Sequence, residues 1–245
     1  MQRRGLAQEG LKLIACVAML LDHAAIVIVM DSYYGATGSA RVALLELYET
    51  LRTIGRLAFP IYCFLLAEGA SRTRNPKRYA LRLFIAMLLA EIPFDLAIFG
   101  GFTWKHQSVM VTLLLGYLML EVMKKCPVKW LRLLIVIPFA FLAELMNTDY
   151  GAMGIHVIAL FFLTRDVPRK EIWQFLGLWF IFSPNHLMVL NWLDGFRVTM
   201  QELASFAVMP IMCYNGQKVT KNKAIQWAFY LFYPVHLLAL YWIGG

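Results

Sequence analysis

Charge is what this chain has least of. Only 16% of its 245 residues are charged, whereas 60% are hydrophobic, and the mean hydropathy is +0.62. A soluble domain carries nearer a quarter charged residues, so there is too little polar material here to cover a globule in water. The four cysteines, Cys16, Cys63, Cys126 and Cys213, form no CxxC and no spaced pair with histidines. That argues against a zinc or redox site and leaves them as small apolar side chains. No metal site is expected. There is no G-x-G-x-x-G and no P-loop, hence no signal for nucleotide hydrolysis.

What the chain has is long apolar runs. They lie at about 11–30, 43–69, 79–99, 108–123, 130–147, 152–164, 171–183, 199–214 and 224–243, bounded by Gly, Pro or charge. This predicts an all-α, polytopic integral membrane protein of about nine transmembrane helices, forming a single transmembrane domain over 1–245. The stretch 184–198 is too short and too polar for a span and reads as an external loop or re-entrant segment. The N-terminal run resembles a signal peptide. Asp22 and His23 interrupt it late, however, and many spans follow, so it reads as an uncleaved first span.

The net charge of +8 could suggest nucleic acid, but its distribution suggests a bilayer. With the N-terminus placed in the cytoplasm, cytoplasmic segments hold Arg3, Arg4, Lys12, Arg72, Arg74, Lys77, Arg78, Arg82, Lys124, Lys125, Lys129, Arg132, Arg165, Arg169, Lys170, Lys218, Lys221 and Lys223. External segments hold only Arg41, Lys105 and Arg197. The positive-inside rule then predicts a multi-pass inner-membrane protein, N-terminus cytoplasmic and C-terminus external, with no nucleic-acid partner. Tyr33, Tyr34, Trp104, Trp130, Trp173, Trp192 and Trp242 lie near span ends and read as an interfacial aromatic belt.

The remaining arginines, Arg52 and Arg56, fall inside the second span. An ionisable group at mid-bilayer costs roughly 2.5–3.5 kcal/mol on insertion scales and survives when it pairs, lines a wet cavity or reacts. Counting about 1.5 Å per residue from the span ends puts His23, Arg56, Glu91 and His236 near one depth, with Arg52 and Asp95 a turn further out. Asp22-His23 can be a polar pair that locks helices, or a carboxylate beside a general base. Adjacent helical residues point about 100° apart, so Glu91 or Asp95 can be the carboxylate that orients His23 instead. Arg52 and Arg56 share a helix face, either as partners of Glu91 and Asp95 or as the cationic face for an anionic thioester or an oxyanion. His236 fits a core histidine as well as a site residue. Glu68 reads as interfacial. No Ser or Cys sits in a nucleophile motif, which favours direct transfer between two bound substrates. The cytoplasmic stretch Arg72, Arg74, Asn75, Lys77, Arg78 and Arg82 is either a topology anchor or a docking patch for a phosphate-rich ligand such as coenzyme A.

These residues stand in runs that closely resemble the TraX family. They are Lys12-Leu-Ile-Ala, Met19-Leu-Leu-Asp22-His23, the stretch Leu51 to Gly69, Arg72-Thr-Arg-Asn75, Glu91-Ile-Pro-Phe-Asp95, Val111-Thr-Leu-Leu-Leu-Gly116, Asp149-Tyr-Gly-Ala-Met-Gly154 and Phe232-Tyr-Pro-Val-His236. The resemblance runs from about residue 10 to the C-terminus with motif order kept. TraX proteins are linked to N-acetylation of conjugative pilin and resemble the wider transmembrane acyltransferases, which use a first-span histidine and cytoplasmic acetyl-CoA. The resemblance therefore implies an acetyl-CoA-dependent acetyltransferase. His23 would be the base, Arg52, Arg56, Glu91 and Asp95 would shape the site, and Arg72 to Arg82 would lie at the coenzyme entrance. Where the family has a Gln-Asn pair this chain has Gln107-Ser108. The acceptor would be a pilin-like peptide, an envelope saccharide or a small molecule, and membrane lipids would surround the protein. The competing reading is a proton-coupled transporter, since buried Asp, His and Arg also make proton relays. The absence of evident inverted repeats and paired broken spans argues against it. A membrane scaffold for pilus or envelope assembly is a third possibility.

Overall fold

The computed structural model describes residues 5–183, 200–220 and 222–244. Arg3, Arg4, Trp192, Arg197, Lys221, Gly245 and the stretch 184–198 lie outside the described residues. Among those described, the architecture is all-helical, with two isolated bridges and no strand. Gln8–Ala24 (α1) runs through a π-helical turn, Ala25–Val29, into Met30–Gly35 (α2). Gly38–Gly55 (α3) and Ala58–Arg72 (α4) follow, then Pro76–Phe99 (α5), Val109–Lys125 (α6), Leu131–Leu145 (α7), Gly151–Thr164 (α8) and Lys170–Phe182 (α9). A 3₁₀ helix, Glu202–Ala207, leads into Val208–Met212 (α10), and Lys223–Gly244 (α11) ends the chain.

Every apolar run read from the sequence coincides with helix. Two depart from the expected form. The run 43–69 is broken at Arg56-Leu57, and 199–214 holds a 3₁₀ helix and one short α-helix. Among the described residues, three helical stretches are long and apolar enough to cross a membrane: Gln8–Gly35 (28 residues), Gly38–Arg72 (35, with its break at Arg56-Leu57) and Ala224–Gly244 (21). At about 1.5 Å per residue, α7, α8 and α9 reach only about 20 Å, short of a hydrocarbon core of about 30 Å.

The chain divides into two compact units. One comprises Met1–Tyr62, Arg169–Phe229 and Ala239–Gly245, the other Cys63–Pro168 and Tyr230–Leu238. In the first, α1 packs on α3, and α9 on the 3₁₀ helix. The Lys12 ammonium lies 5.1 Å from the Phe229 ring centroid, and a Cβ on Gly244 would come within 2.8 Å of Val27 Cγ1. Two contacts about one helix length apart on each partner make α11 parallel to α1. The start of α1 is tied to the segment before α11. Leu6 exchanges backbone bonds with Cys213 and Asn215, and the Glu9 carboxylate accepts from Val219 N and Thr220 N at 3.0 Å each.

In the second unit, α6 packs on α5, α7 and α8. Its helix starts are set by local chemistry. Asn75 caps α5, its Oδ1 accepting from Arg78 N at 3.0 Å, with Pro76 in the first turn, where a missing N–H costs nothing. Gly100 ends α5 at φ 70°, a left-handed position suited to glycine. Apolar side chains face outward on several helices, among them Leu88 and Ile92 on α5, Ile137, Phe141 and Leu145 on α7, and Trp173 and Phe180 on α9. Unpartnered apolar surface on this scale marks an interaction face. Trp104, Trp130 and Trp242 are among the most exposed large side chains.

Candidate active site

The first unit gathers Asp22, Arg52, Arg56 and Gln201. Asp22 sits near the end of α1, buried, and takes both arginines on its two oxygens: Arg52 Nη1 to Oδ2 at 2.6 Å and Arg56 Nη2 to Oδ1 at 2.6 Å. Arg56 also donates from Nε to the Arg52 carbonyl at 3.3 Å and from Nη1 to Gln201 Oε1 at 3.1 Å. The Arg52 guanidinium lies 6.0 Å from the Tyr48 ring centroid. The arginines' carboxylate is therefore Asp22, rather than Glu91 or Asp95, the pairing weighed from the sequence.

Two backbone features build this cluster. The helix breaks between α3 and α4 because Pro60 lacks the N–H that a continuous helix would donate to the Arg56 carbonyl. Arg56 N still bonds the Arg52 carbonyl, and Leu57 N turns back to Ile54. Gly55, buried at the end of α3, lets α1 come close. A Cβ there would stand 2.7 Å from Asp22 Cγ and nearer still to its Oδ1 and Cβ. No side chain fits at that position without moving Asp22.

His23 follows Asp22 in the last turn of α1 and is half-buried. The π-helical turn begins at Ala25. Such turns shift the register of the helix by a residue and are frequent at functional sites. Sequence reading had no means of finding this turn, since AIVIV differs in nothing from ordinary apolar helix. Gln201 was missed because it adjoins a stretch with no clear helical pattern. Gly55 carried a faint signal as a glycine beside an arginine within an apolar run.

Glu91, Asp95 and His236 belong to the second unit. Both oxygens of Glu91 serve Ser108, the N-cap of α6: its backbone N–H at 3.0 Å and its hydroxyl at 2.7 Å. The carboxylate thus takes up a donor at the helix start and puts negative charge where the helix dipole favours it. Ser108, where the family has asparagine, stands at the N-cap position with its hydroxyl on Glu91 and makes no side-chain cap bond of its own. Asp95 is fully buried and accepts from Thr103 N at 3.0 Å, which closes the loop after α5. His236 stacks on Phe232 with centroids 4.8 Å apart, and its Nδ1 lies 2.7 Å from the Phe232 carbonyl. A carbonyl only accepts, so the ring proton is assigned to Nδ1 and Nε2 keeps its lone pair.

The basic stretch after α4 is also sorted by its contacts. Arg72 is paired with buried Glu68 at 2.6 Å, Asn75 is the α5 cap, and the Arg82 guanidinium lies 5.6 Å from the Tyr79 ring centroid. Arg74, Lys77 and Arg78 are exposed. Among the described residues, no group of three or more His, Cys, Asp or Glu could hold a metal ion.

The fold and site thus define a helical chain with apolar, membrane-length segments and a part-buried arginine–aspartate cluster inside the first two. The chain belongs to the TraX family, whose model, described as "TraX protein", matches residues 7–244. It is similar to the "Probable fimbrial assembly protein FimC, serogroup H1" of Dichelobacter nodosus, 29% identical over 243 residues, covering 94% of this chain and 92% of that one. No solved structure matches it.

Proposed function

We propose that this chain is a polytopic inner-membrane acetyltransferase, one membrane domain of about nine crossings. It moves an acetyl group from cytoplasmic acetyl-CoA to an amine or hydroxyl of an acceptor. Membership of the TraX family and the fimbrial-assembly name of a relative favour a pilin-like peptide as acceptor. The observation that carries the reading is the cluster beside His23. Two arginines are fixed on one aspartate, which places positively charged guanidinium groups in a part-buried site. That is the sign needed where negative charge grows on a thioester carbonyl oxygen, and it is worth more in a medium of low dielectric than in water.

Acetyl-CoA supplies the activated acetyl thioester and a thiol leaving group. His23 removes the proton of the attacking amine or hydroxyl and returns it to the departing sulfur, so the enzyme ends unchanged. Arg52 and Arg56, fixed by Asp22, hold the charge in place without reorganising. The exposed cations Arg74, Lys77 and Arg78 suit the coenzyme's phosphates, since no carboxylate neutralises them among the described residues.

The orientation has its own support. α11 is parallel to α1, which supports an odd number of crossings from the first helix through the last. The tie between residues 5–9 and 213–220 joins two segments that both read as cytoplasmic from their basic residues. A reporter fused after Gly245 is expected to be active outside the cytoplasm. Cytoplasmic activity of that fusion contradicts the odd count.

The test of the function uses sealed vesicles. Inside-out membrane vesicles carrying the protein, given acetyl-labelled CoA and a pilin-derived peptide, are expected to transfer label to the peptide. Right-side-out vesicles given the same coenzyme outside are expected not to. Equal labelling by both, or by vesicles lacking the protein, contradicts the reading.

A further inference from the structure

Beyond the cluster around Asp22, the second unit holds a cavity of about 260 Å³ lined by Lys129, Arg132, Phe162, Leu163, Arg165, Asp166 and Val167. It lies where the start of α7 meets the end of α8. Three cations face one acid, leaving two net positive charges. The two guanidiniums are held in place. Arg132 donates from Nε and Nη2 to the Cys126 carbonyl at 3.1 and 3.0 Å, and Arg165 donates from Nε and Nη2 to Asp166 at 3.2 and 2.9 Å. The bond from Asp166 pushes Arg165 above the ordinary arginine range against the opposing effect of burial, with the charges of Asp166 and Glu68 adding to it. Arg132 thus lies on a backbone carbonyl and Arg165 on the neighbouring, exposed Asp166, beside an apolar wall of Phe162, Leu163 and Val167.

We propose that this cavity is a binding site for a phosphate ester. A carboxylate is satisfied by one guanidinium fork, whereas a phosphoryl group presents three oxygens and suits several fixed cations at once. The volume falls below the range of about 300–1,000 Å³ typical of pockets that enclose a whole drug-sized ligand, so it takes one phosphorylated group with its carbon chain lying along the apolar wall. Two sources carry that chemistry: the phosphates of a coenzyme and the headgroup of an anionic phospholipid. The coenzyme source deepens the acetyltransferase reading and rests on it, whereas the lipid source is independent of it.

The experiment measures binding alone, with no acceptor and no turnover. The full chain in neutral detergent is titrated with CoA, and separately its melting is followed in nanodiscs of phosphatidylglycerol against phosphatidylcholine. The variants are Lys129→Glu, which changes an exposed side chain and spares the fold, and Arg165→Gln. Each is expected to weaken one of the two phosphate ligands about tenfold or more, the scale of one charge-assisted hydrogen bond. Loss confined to CoA assigns the site to the acyl donor. Loss of the phosphatidylglycerol stabilisation assigns it to lipid, and that result stands even if the chain proves to transfer no acetyl group. Unchanged response to both ligands by folded Lys129→Glu overturns the proposal.

Discussion

Replacing His23 by alanine is expected to lower acetyl transfer by about 10²–10⁴-fold, the usual contribution of a general base. Acetyl-CoA affinity should change little, because in the proposed reaction the imidazole acts on the acceptor and other residues hold the coenzyme's phosphates. His23→Gln is the sharper variant, since it keeps size and hydrogen bonding but cannot take up and release a proton near neutral pH. Initial rates and equilibrium binding of labelled acetyl-CoA separate the two effects. A glutamine variant with a substantial fraction of normal turnover makes His23 a structural polar residue and moves the search for the base to His236, whose Nε2 keeps its lone pair.

The second large effect is expected at Asp22. Asp22→Ala removes the carboxylate that two part-buried guanidiniums share. Removing one partner of a buried pair costs about 3–5 kcal/mol, and here two cations are left to repel each other. The expected result is a marked fall in the melting midpoint of the purified protein, together with loss of activity. Gly55→Ala should move both readouts the same way with every charge still present, because its methyl group must displace the Asp22 side chain. Overpacking of this kind costs about 1–3 kcal/mol. If Gly55→Ala melts and works like the parent, the helices yield easily and the close approach of α1 to α3 is not what holds the cluster.

Much of this was open to reading from residues alone, for physical reasons that can be named. Apolar runs mark helices because each backbone polar group in hydrocarbon must be paired within its own segment, and all the runs read here are helical. Arg52 and Arg56, at i and i+4, had to share a face, and they do share a partner. What the chain could not reveal was which carboxylate they meet. Glu91 and Asp95 also stand at i and i+4 and looked equally suitable, yet they are drawn off by Ser108 and Thr103, backbone donors with no signature in the run itself. Asp22 next to His23 suggested a dyad. The structure puts the two arginines on that aspartate. The break at Arg56-Leu57 was legible in principle from Pro60, but apolar continuity on both sides hid it.

The cluster also bears on the transporter reading. A proton relay needs carboxylates that can take up and release protons. Asp22 is instead bound between two guanidiniums, an arrangement that suits fixed electrostatics better than shuttling. In the second unit, Glu91 is committed to a helix cap and Asp95 to a loop.

The most direct measurement is release of free CoA from acetyl-CoA by the purified protein, with and without an acceptor amine, run beside His23→Gln and Asp22→Ala. The account predicts thiol release that depends on the acceptor, matches acetyl found on it mole for mole, and is lost in both variants. No release with any amine or hydroxyl acceptor, from a folded preparation that binds acetyl-CoA, would contradict it.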